Sequence, residues 1–562
     1  MSGAMTSDAP QFDELATRRA QMFPALTEPQ IARIARLAVK ESFEPGQLLF
    51  DEGDYNVAFH VILEGEVEVV HPRGKLEEPV TIHQHGEFTG EISLLYDRRS
   101  LVRGRALSHV RTLRVERAQL HKLVQTDAEL SELLMRAFIL RRMGLLAGGM
   151  GDVVILGSQH SAATLRLQAF LTRNGHPYQY VDVDRDSNVQ ALLDDFHVTA
   201  SDVPVVVCRG DRVLKNPTNA EVAECLGFNA AFEPKAVHDV IVCGAGPGGL
   251  AAAVYAASEG LDVLVLEEDA PGGQAGSSSK IENYLGFPTG VSGQALAARA
   301  LTQAEKFGAK IAIARAAKHL HCEEVPFRIE LENGEEVRAR TIVVATGAEY
   351  RKLDLPNLDG FEGVGLYYGA TFVEAQRCER EDVIVVGGGN SAGQAATFLS
   401  RSTRHVHMVI RGTGLAASMS RYLIQRIEET PNITLHVRTR IVGLEGGDHL
   451  EGVTWVDDAT GERSTVAVRH LFSMTGARPN TDWLSGCLST DAHGFVCTGS
   501  ELTPELLKQT GWPLTRSPYL FETSRPRVFA VGDVRAASVK RVASAVGEGS
   551  VCIQLVHKVL AE

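Results

Sequence analysis

Residues 239–268 read DVIVCGAGPGGLAAAVYAASEGLDVLVLEE, and residues 271–284 continue PGGQAGSSSKIENY. Val240–Val242 is a short apolar run that fits a strand, and the Ala-rich run Leu250–Ser258 fits a helix. Between them Gly244, Gly246 and Gly249 are spaced as G-x-G-x-x-G. Val263–Leu266 makes a second strand, and Glu267 ends it. In such a βαβ unit the first glycine makes a tight turn and the second lets a pyrophosphate approach the backbone. The third packs helix against strand. The helix N-terminus offers free N–H groups to the phosphates, and Glu267 stands where a carboxylate accepts a ribose 2′-hydroxyl. This stretch predicts a bound dinucleotide.

A chain of 562 residues has room for three or four domains. A net charge of −14 argues against nucleic acid or an anionic membrane as a general partner. No apolar run reaches membrane-spanning length, and the first dozen residues lack the pattern of a signal peptide. A cytoplasmic protein with a disordered tail over 1–21 is expected. Eight cysteines stand at 208, 225, 243, 322, 378, 487, 497 and 552, with no C-x-x-C anywhere. That excludes a zinc ribbon and a dithiol motif, so no metal site is expected. Several cysteines lie in apolar runs and read as small core residues.

Residues 22–147 open with a helix and continue as short β-type segments: GQLLFDEGD, AFHVILEGEVEVVH and GEFTGEISLL. Gly turns every 8–12 residues give the cadence of a small β-roll. A long amphipathic helix carrying Leu130, Leu133, Leu134 and Phe138 closes the unit. The unit resembles the cyclic nucleotide-binding domain family, centred on GEISLLYDRRSLVRGRA. The resemblance implies that Gly90 and Glu91 meet the phosphate and ribose, with Arg98 or Arg99 pairing with the phosphate charge. Seven arginines lie between Arg98 and Arg117, mostly at alternating strand positions, and read as a solvated face rather than a DNA surface.

Residues 151–230 alternate strand and helix: DVVILGS, SAATLRLQAFLTRNG, YQYVDVD, VQALLDDF, DVPVVVC and NAEVAECLGF. The order resembles the thioredoxin/glutaredoxin fold. That resemblance puts Ser161 and Thr164 where two redox cysteines belong, and Pro204 at the cis-proline position. A hydroxyl lacks the acidity and redox chemistry of a thiol, so docking or spacing is the expected role.

From Ala236 on, the opening logic repeats. Thr341–Ala348 is a strand ending in Ala-Thr-Gly. DVIVVGGGNSAGQAATFLS then places Gly387, Gly389 and Ala392 as G-x-G-x-x-A, with Asn390 and Ser391 opening the helix. The next strand, HVHMVI, is followed by Arg411 rather than an acid, which favours the 2′-phosphate of NADPH over NADH. Gly244 and Gly387 are 143 residues apart, and VFAVGDV follows both. This ordered set resembles the low-molecular-weight thioredoxin reductase flavoproteins over roughly 237–560. The resemblance implies an FAD domain in two segments (236–356 and 471–562), an inserted NAD(P)H domain (357–470) and a homodimer. It puts Gln274, Asn283, Thr346 and Gly347 near the flavin, Gly532 and Asp533 at its ribityl or phosphate region, and Arg541, Val542 and Ala543 at its pyrimidine edge. One departure is large. Where that family carries its redox C-x-x-C, this chain reads GLYYGATFVEA, with Gly369 and Phe372 in place of the cysteines.

The expected fold is therefore multidomain: a β-roll with helices, a thioredoxin-like α/β unit, and two Rossmann-like three-layer α/β domains. The expected chemistry is NAD(P)H oxidation through FAD, with the electron acceptor and catalytic side chains undefined. Two alternatives stay open: disulfide reduction through Cys378, and a non-enzymatic FAD or cyclic-nucleotide sensor.

Overall fold

The computed structural model describes residues 19, 21–55, 57–73, 76–90, 94, 99–147, 153–159, 161–184, 202–208, 212–229, 233 and 236–562. The tail before residue 19 and the helix expected at VQALLDDF lie outside the described residues.

The N-terminal unit packs two antiparallel sheets. One orders Val39–Phe43, Val110–Val115 and Phe59–Glu64; the other orders Leu48–Phe50, Arg103–Ala106, Val67–Arg73 and Leu76–His83. Phe59, Phe88 and Phe138 meet pairwise at 5.5–6.2 Å between ring centroids, which pins the long helix Ala128–Ala147 to the roll. GEFTGEISLL is not a strand over its described residues: Phe88 alone bridges to Val61. Its backbone hydrogen-bonds to His60 and Ile62, and Arg141 adds donations to the carbonyls of Phe88 (3.0 Å) and Gly90 (2.6 Å). The strand arginines are neutralised in place. Arg103 pairs with Asp51 and Glu77, Arg105 with Glu68 and Glu77, and Arg111 with Glu64.

The middle unit has one sheet, ordered Arg212–Lys215, Val205–Cys208, Val153–Gly157 and Gln179–Asp182. The last two strands are parallel and the first two pairings antiparallel. Helices Ala162–Arg173 and Asn219–Leu226 accompany it, and the Val203–Pro204 bond is cis.

The third unit is built on a seven-stranded sheet whose parallel part runs Lys310–Ile313, Val263–Glu267, Val237–Cys243, Glu336–Val344 and Val528–Ala530. Val240–Cys243, Val263–Leu266 and Ile342–Val344 are buried on both faces, which is why they are near-continuous Val, Ile and Leu. Helix Pro247–Ser258 packs between Gly293–Lys306 and Val542–Ala561. A Cβ on Gly549 would stand 2.2 Å from the Gly248 carbonyl, so the last helix crosses the first at backbone contact.

The chain leaves this domain through Ala348–Glu349 and returns through Arg478–Pro479, and these two short strands pair antiparallel. Between them lies a second parallel sheet: Leu366–Tyr367, His470–Ser473, Asp382–Val386, His405–Val409 and Ile433–His436. Arg426 of this inserted domain pairs with Glu282 of the larger one at 2.6 Å.

Candidate dinucleotide sites

The three glycines of the first motif do three different jobs. Gly244 has φ +104°, and a Cβ there would lie 2.4 Å from the Ala345 carbonyl. A Cβ on Gly249 would lie 1.8 Å from the Gly244 carbonyl, so this glycine sets how closely helix and turn approach. Gly246 caps helix Pro247–Ser258, and a Cβ on it would meet nothing within 4 Å. It borders a cavity of about 400 Å³.

Separate segments of the chain converge on that cavity. The first βαβ unit gives Gly244, Gly246 and Glu267; the next loop gives Gln274 and Asn283. The end of the central strand gives Thr346 and Gly347, and the C-terminal segment gives Gly532, Asp533, Arg541 and Val542. Gly249 stands behind the turn and does not line it. Ala543 is exposed and does not line it either; Ala545 does, because i and i+3 share a helix face with Val542.

Glu267 also holds the turn together. Its carboxylate accepts from the backbone N–H of Ala245 (2.7 Å), Asp269 (3.0 Å) and Ala270 (3.1 Å). Burial pushes its pKa up to about 7, against the pull of those N–H groups. Asp533 is likewise raised by burial, with Lys540 opposing. Gln274 spends its amide on the Ala348 carbonyl at 2.5 Å. Thr346 and Asn480 exchange hydrogen bonds at 2.7 and 3.0 Å, which fixes the Ala-Thr-Gly turn against the returning chain.

Sequence reasoning did not single out Arg315, Ala316, Ala317, Tyr350, Asn480 or Trp483 as lining residues, yet all line the cavity. Asn480 lies in the string TGARPNT, which was a usable signal. Arg315 is placed because its N–H donates to the Glu267 carbonyl at 2.9 Å.

The second motif repeats the pattern on the inserted domain. Gly387 has φ +140°, and a Cβ there would lie 2.5 Å from the Met474 carbonyl. Gly389 caps helix Asn390–Leu399 and faces open space, while Ala392 is fully buried. Asn390 accepts from the Ser420 N–H at 2.8 Å, and with Ser391 it lines the first cavity, so the N-terminus of the second helix faces the first site. Arg411 is exposed just beyond strand His405–Val409.

The cysteines divide. Cys322 and Cys487 form a disulfide across 165 residues, a pairing that the sequence did not suggest: the loop after Trp483 folds back onto the end of strand Ala317–His321. The other six are buried. Cys378 has no exposed surface and its thiol donates to the Glu374 carbonyl at 3.1 Å. Burial, aided by the Glu374 and Glu381 carboxylates, pushes its pKa upward. In the roll, Gly90 has φ +102° and Arg99 lies 4.3 Å over the Tyr55 ring; Glu91 and Arg98 lie outside the described residues.

The sequence profile described as pyridine nucleotide-disulphide oxidoreductase matches residues 238–549. The chain belongs to that family. Its members of thioredoxin-reductase type are FAD- and NAD(P)H-dependent oxidoreductases, and this chain's two facing dinucleotide motifs are of their kind. A cyclic nucleotide-binding domain profile matches residues 40–127. The thioredoxin reductase of Listeria monocytogenes is 32% identical over 58% of this chain and 95% of its own length. NADPH-dependent thioredoxin reductase 3 of Arabidopsis thaliana is 29% identical over 61% of this chain, which spans 64% of that protein. Among solved structures, the thioredoxin reductase of Lactococcus lactis is 27% identical with a TM-score of 0.51, covering 58% of this chain and 99% of its own. Family membership implies FAD and NADPH. The open space at Gly246, the helix N-terminus behind it and the half-buried Asp533 carboxylate fit a dinucleotide flavin. Among the described residues, no helix is long and apolar enough to cross a membrane.

Proposed function

We propose that this protein oxidises NADPH, and NADH less well, through FAD, and passes the electron pair to an acceptor without an internal disulfide. When bound, FAD supplies the hydride acceptance and onward electron transfer. The chain's residues position it: the Gly246 helix end receives the pyrophosphate, Glu267 the adenosine ribose, Asp533 the ribityl side, and Gly389, Asn390 and Arg411 the nicotinamide dinucleotide. The observation that carries the reading is the segment Leu366–Phe372, which holds no thiol, with the nearby Cys378 sealed in the core. A relay needs one thiolate to attack and a second sulfur to resolve.

The middle unit reads best as a thioredoxin-like fold converted to docking. Its strand order supports this. Ser161 caps helix Ala162–Arg173 with its hydroxyl and Thr164 is fully buried, so neither is a redox group. A cyclic nucleotide on the roll is the regulatory part of the reading. Tyr55 and Arg99 both lie against Gly227 of the middle unit, where a Cβ would stand 2.1 Å from the Tyr55 hydroxyl and 3.1 Å from Arg99 Nε. A phosphate that recruits Arg99 disturbs that contact. A homodimer and a cytoplasmic location complete the proposal.

The test is steady-state NADPH oxidation by the purified yellow holoprotein against a panel of acceptors, with and without cyclic AMP or cyclic GMP. Turnover with non-disulfide acceptors is expected. Thioredoxin-coupled disulfide reduction that vanishes in Cys378→Ser would overturn the reading.

A further inference from the structure

Two observations meet at Leu366–Phe372. The first is a cavity of about 230 Å³ that shares Gln274, Ser278, Glu349, Tyr350, Ser391 and Gln394 with the dinucleotide cavity and runs on to Tyr368, Gly369 and Ala370. Gly369 is not in the left-handed region, and a Cβ on it would meet nothing within 4 Å. The place where a side chain would stand is open.

The second observation lies on the other side of the same segment. The first residue of helix Ala162–Arg173 meets the chain just before this segment: a Cβ on Gly363 would lie 2.8 Å from the Ala162 Cβ. Leu165 is 6% exposed and belongs to the apolar cluster of Tyr367, Ala370 and Cys378. The middle unit is also clamped to the larger nucleotide domain. Arg173 pairs with Asp269 at 2.5 Å, Asn219 donates to Asp269 at 2.9 Å, and Asn229 exchanges hydrogen bonds with the Ile313 backbone at 2.7 Å. A protein acceptor approaching from that side meets the chain's own middle unit. A small molecule in the inner cavity does not.

The lining sets the chemistry. Ser277, Ser278 and Ser279 supply hydroxyls, Met474 and Ala395 supply apolar surface, and no lysine or arginine is among the lining residues. Glu349 brings the one carboxylate, so an anionic oxidant is disfavoured and an uncharged one with carbonyl acceptors is suited. Tyr350 lines both cavities, and burial raises its phenol, with a Ser391 hydrogen bond opposing, so it keeps its proton to donate.

We propose that the electron acceptor is a small uncharged quinone held in the Gly369 cavity. The proposal rests on the reading that the chain oxidises NADPH through FAD. The overall reaction balances as NADPH + H⁺ + quinone → NADP⁺ + quinol. The nicotinamide gives up two electrons with one hydrogen as hydride, solvent gives one proton, and both quinone oxygens end as hydroxyls.

The experiment uses oxidised holoprotein and 2-methyl-1,4-naphthoquinone as probe, with Gly369→Ala and Gly369→Phe. Calorimetric binding without NADPH is read beside FAD content, anaerobic reduction by NADPH and quinone KM. Gly369→Phe should weaken binding at least about tenfold and raise the quinone KM alike. FAD content and NADPH reduction should stay as in the parent, and Gly369→Ala should fall between. Equal binding by parent and Gly369→Phe, or none by the parent, overturns the proposal and leaves the reading of function standing. Slowed reduction by NADPH in Gly369→Phe also overturns it, because the cavity then belongs to the nicotinamide. A parent that NADPH does not reduce at all brings down both.

Discussion

The two dinucleotide motifs of this chain share a plan and differ in one glycine and one charge. In the first, the third position must be Gly249, because a Cβ would lie 1.8 Å from the Gly244 carbonyl. In the second that position is Ala392, whose fully buried methyl would lie 3.2 Å from a Cβ built on Gly387. In the first, the acid at the end of the second strand is buried and tied to three backbone N–H groups. In the second, Arg411 is exposed. The first acid is part of the core, whereas the second strand ends at an exposed cation, a difference that suits the proposed division between a resident flavin and an exchanging nicotinamide dinucleotide.

The largest effects should come from the glycines that face open space. Gly246→Val should purify without FAD, whereas Gly389→Val should stay yellow and lose NADPH binding by about two orders of magnitude or more, the side chain filling the phosphate's place. Absorbance at purification and equilibrium titration separate the two. If Gly389→Val also lost FAD, the sites would not be independent.

Next come the packing glycine and its counterpart. Gly249→Ala should cost about 1–3 kcal/mol as an overpacked contact, while Ala392→Gly should cost about 1 kcal/mol from helix propensity. Denaturant unfolding of both variants checks this, and equal costs would mean that the 1.8 Å approach relaxes freely.

Arg411→Ala should narrow the NADPH over NADH preference by about 1.5–3 kcal/mol, the worth of a hydrogen bond to a charged group. Rapid-mixing reduction rates with each nucleotide give the ratio, and an unchanged ratio would place the 2′-phosphate elsewhere.

The last effect is one of pH and concerns Glu267. Its folded pKa of about 7 lies above the ordinary carboxylate value. Below the ordinary value both states are protonated and nothing changes. As pH rises from there to about 7, the unfolded chain releases its proton first, so stability falls. Thermal melting of the apoprotein across that window should show a steeper decline in the parent than in Glu267→Gln. Parallel curves would contradict the burial of this carboxylate.

Both βαβ units were legible because each local requirement, from turn to packing, is met by adjacent residues. Asp382–Val386 and His405–Val409 of the inserted domain and Leu48–Phe50, Phe59–Glu64 and Val67–Arg73 of the roll were legible from apolar runs, whereas GEFTGEISLL read as a strand and is not one over its described residues. Trp483 and Arg315 were not, because they reach the cavity from segments with no shared motif. The Cys322–Cys487 pair, 165 residues apart, carries no spacing signal either. Ala543 was assigned by string likeness alone, and helix geometry turns it outward. The packing of Leu165 among Tyr367 and Ala370 belongs to the contact between two units, which neither unit's pattern encodes.

The central claim is that electrons leave this protein without passing through an internal disulfide. The direct measurement is an anaerobic titration of the holoprotein with NADPH, read by loss of flavin absorbance and by thiol count. One NADPH per FAD should complete the bleaching, with no new thiols. Two NADPH per FAD, with two thiols appearing, would contradict the account.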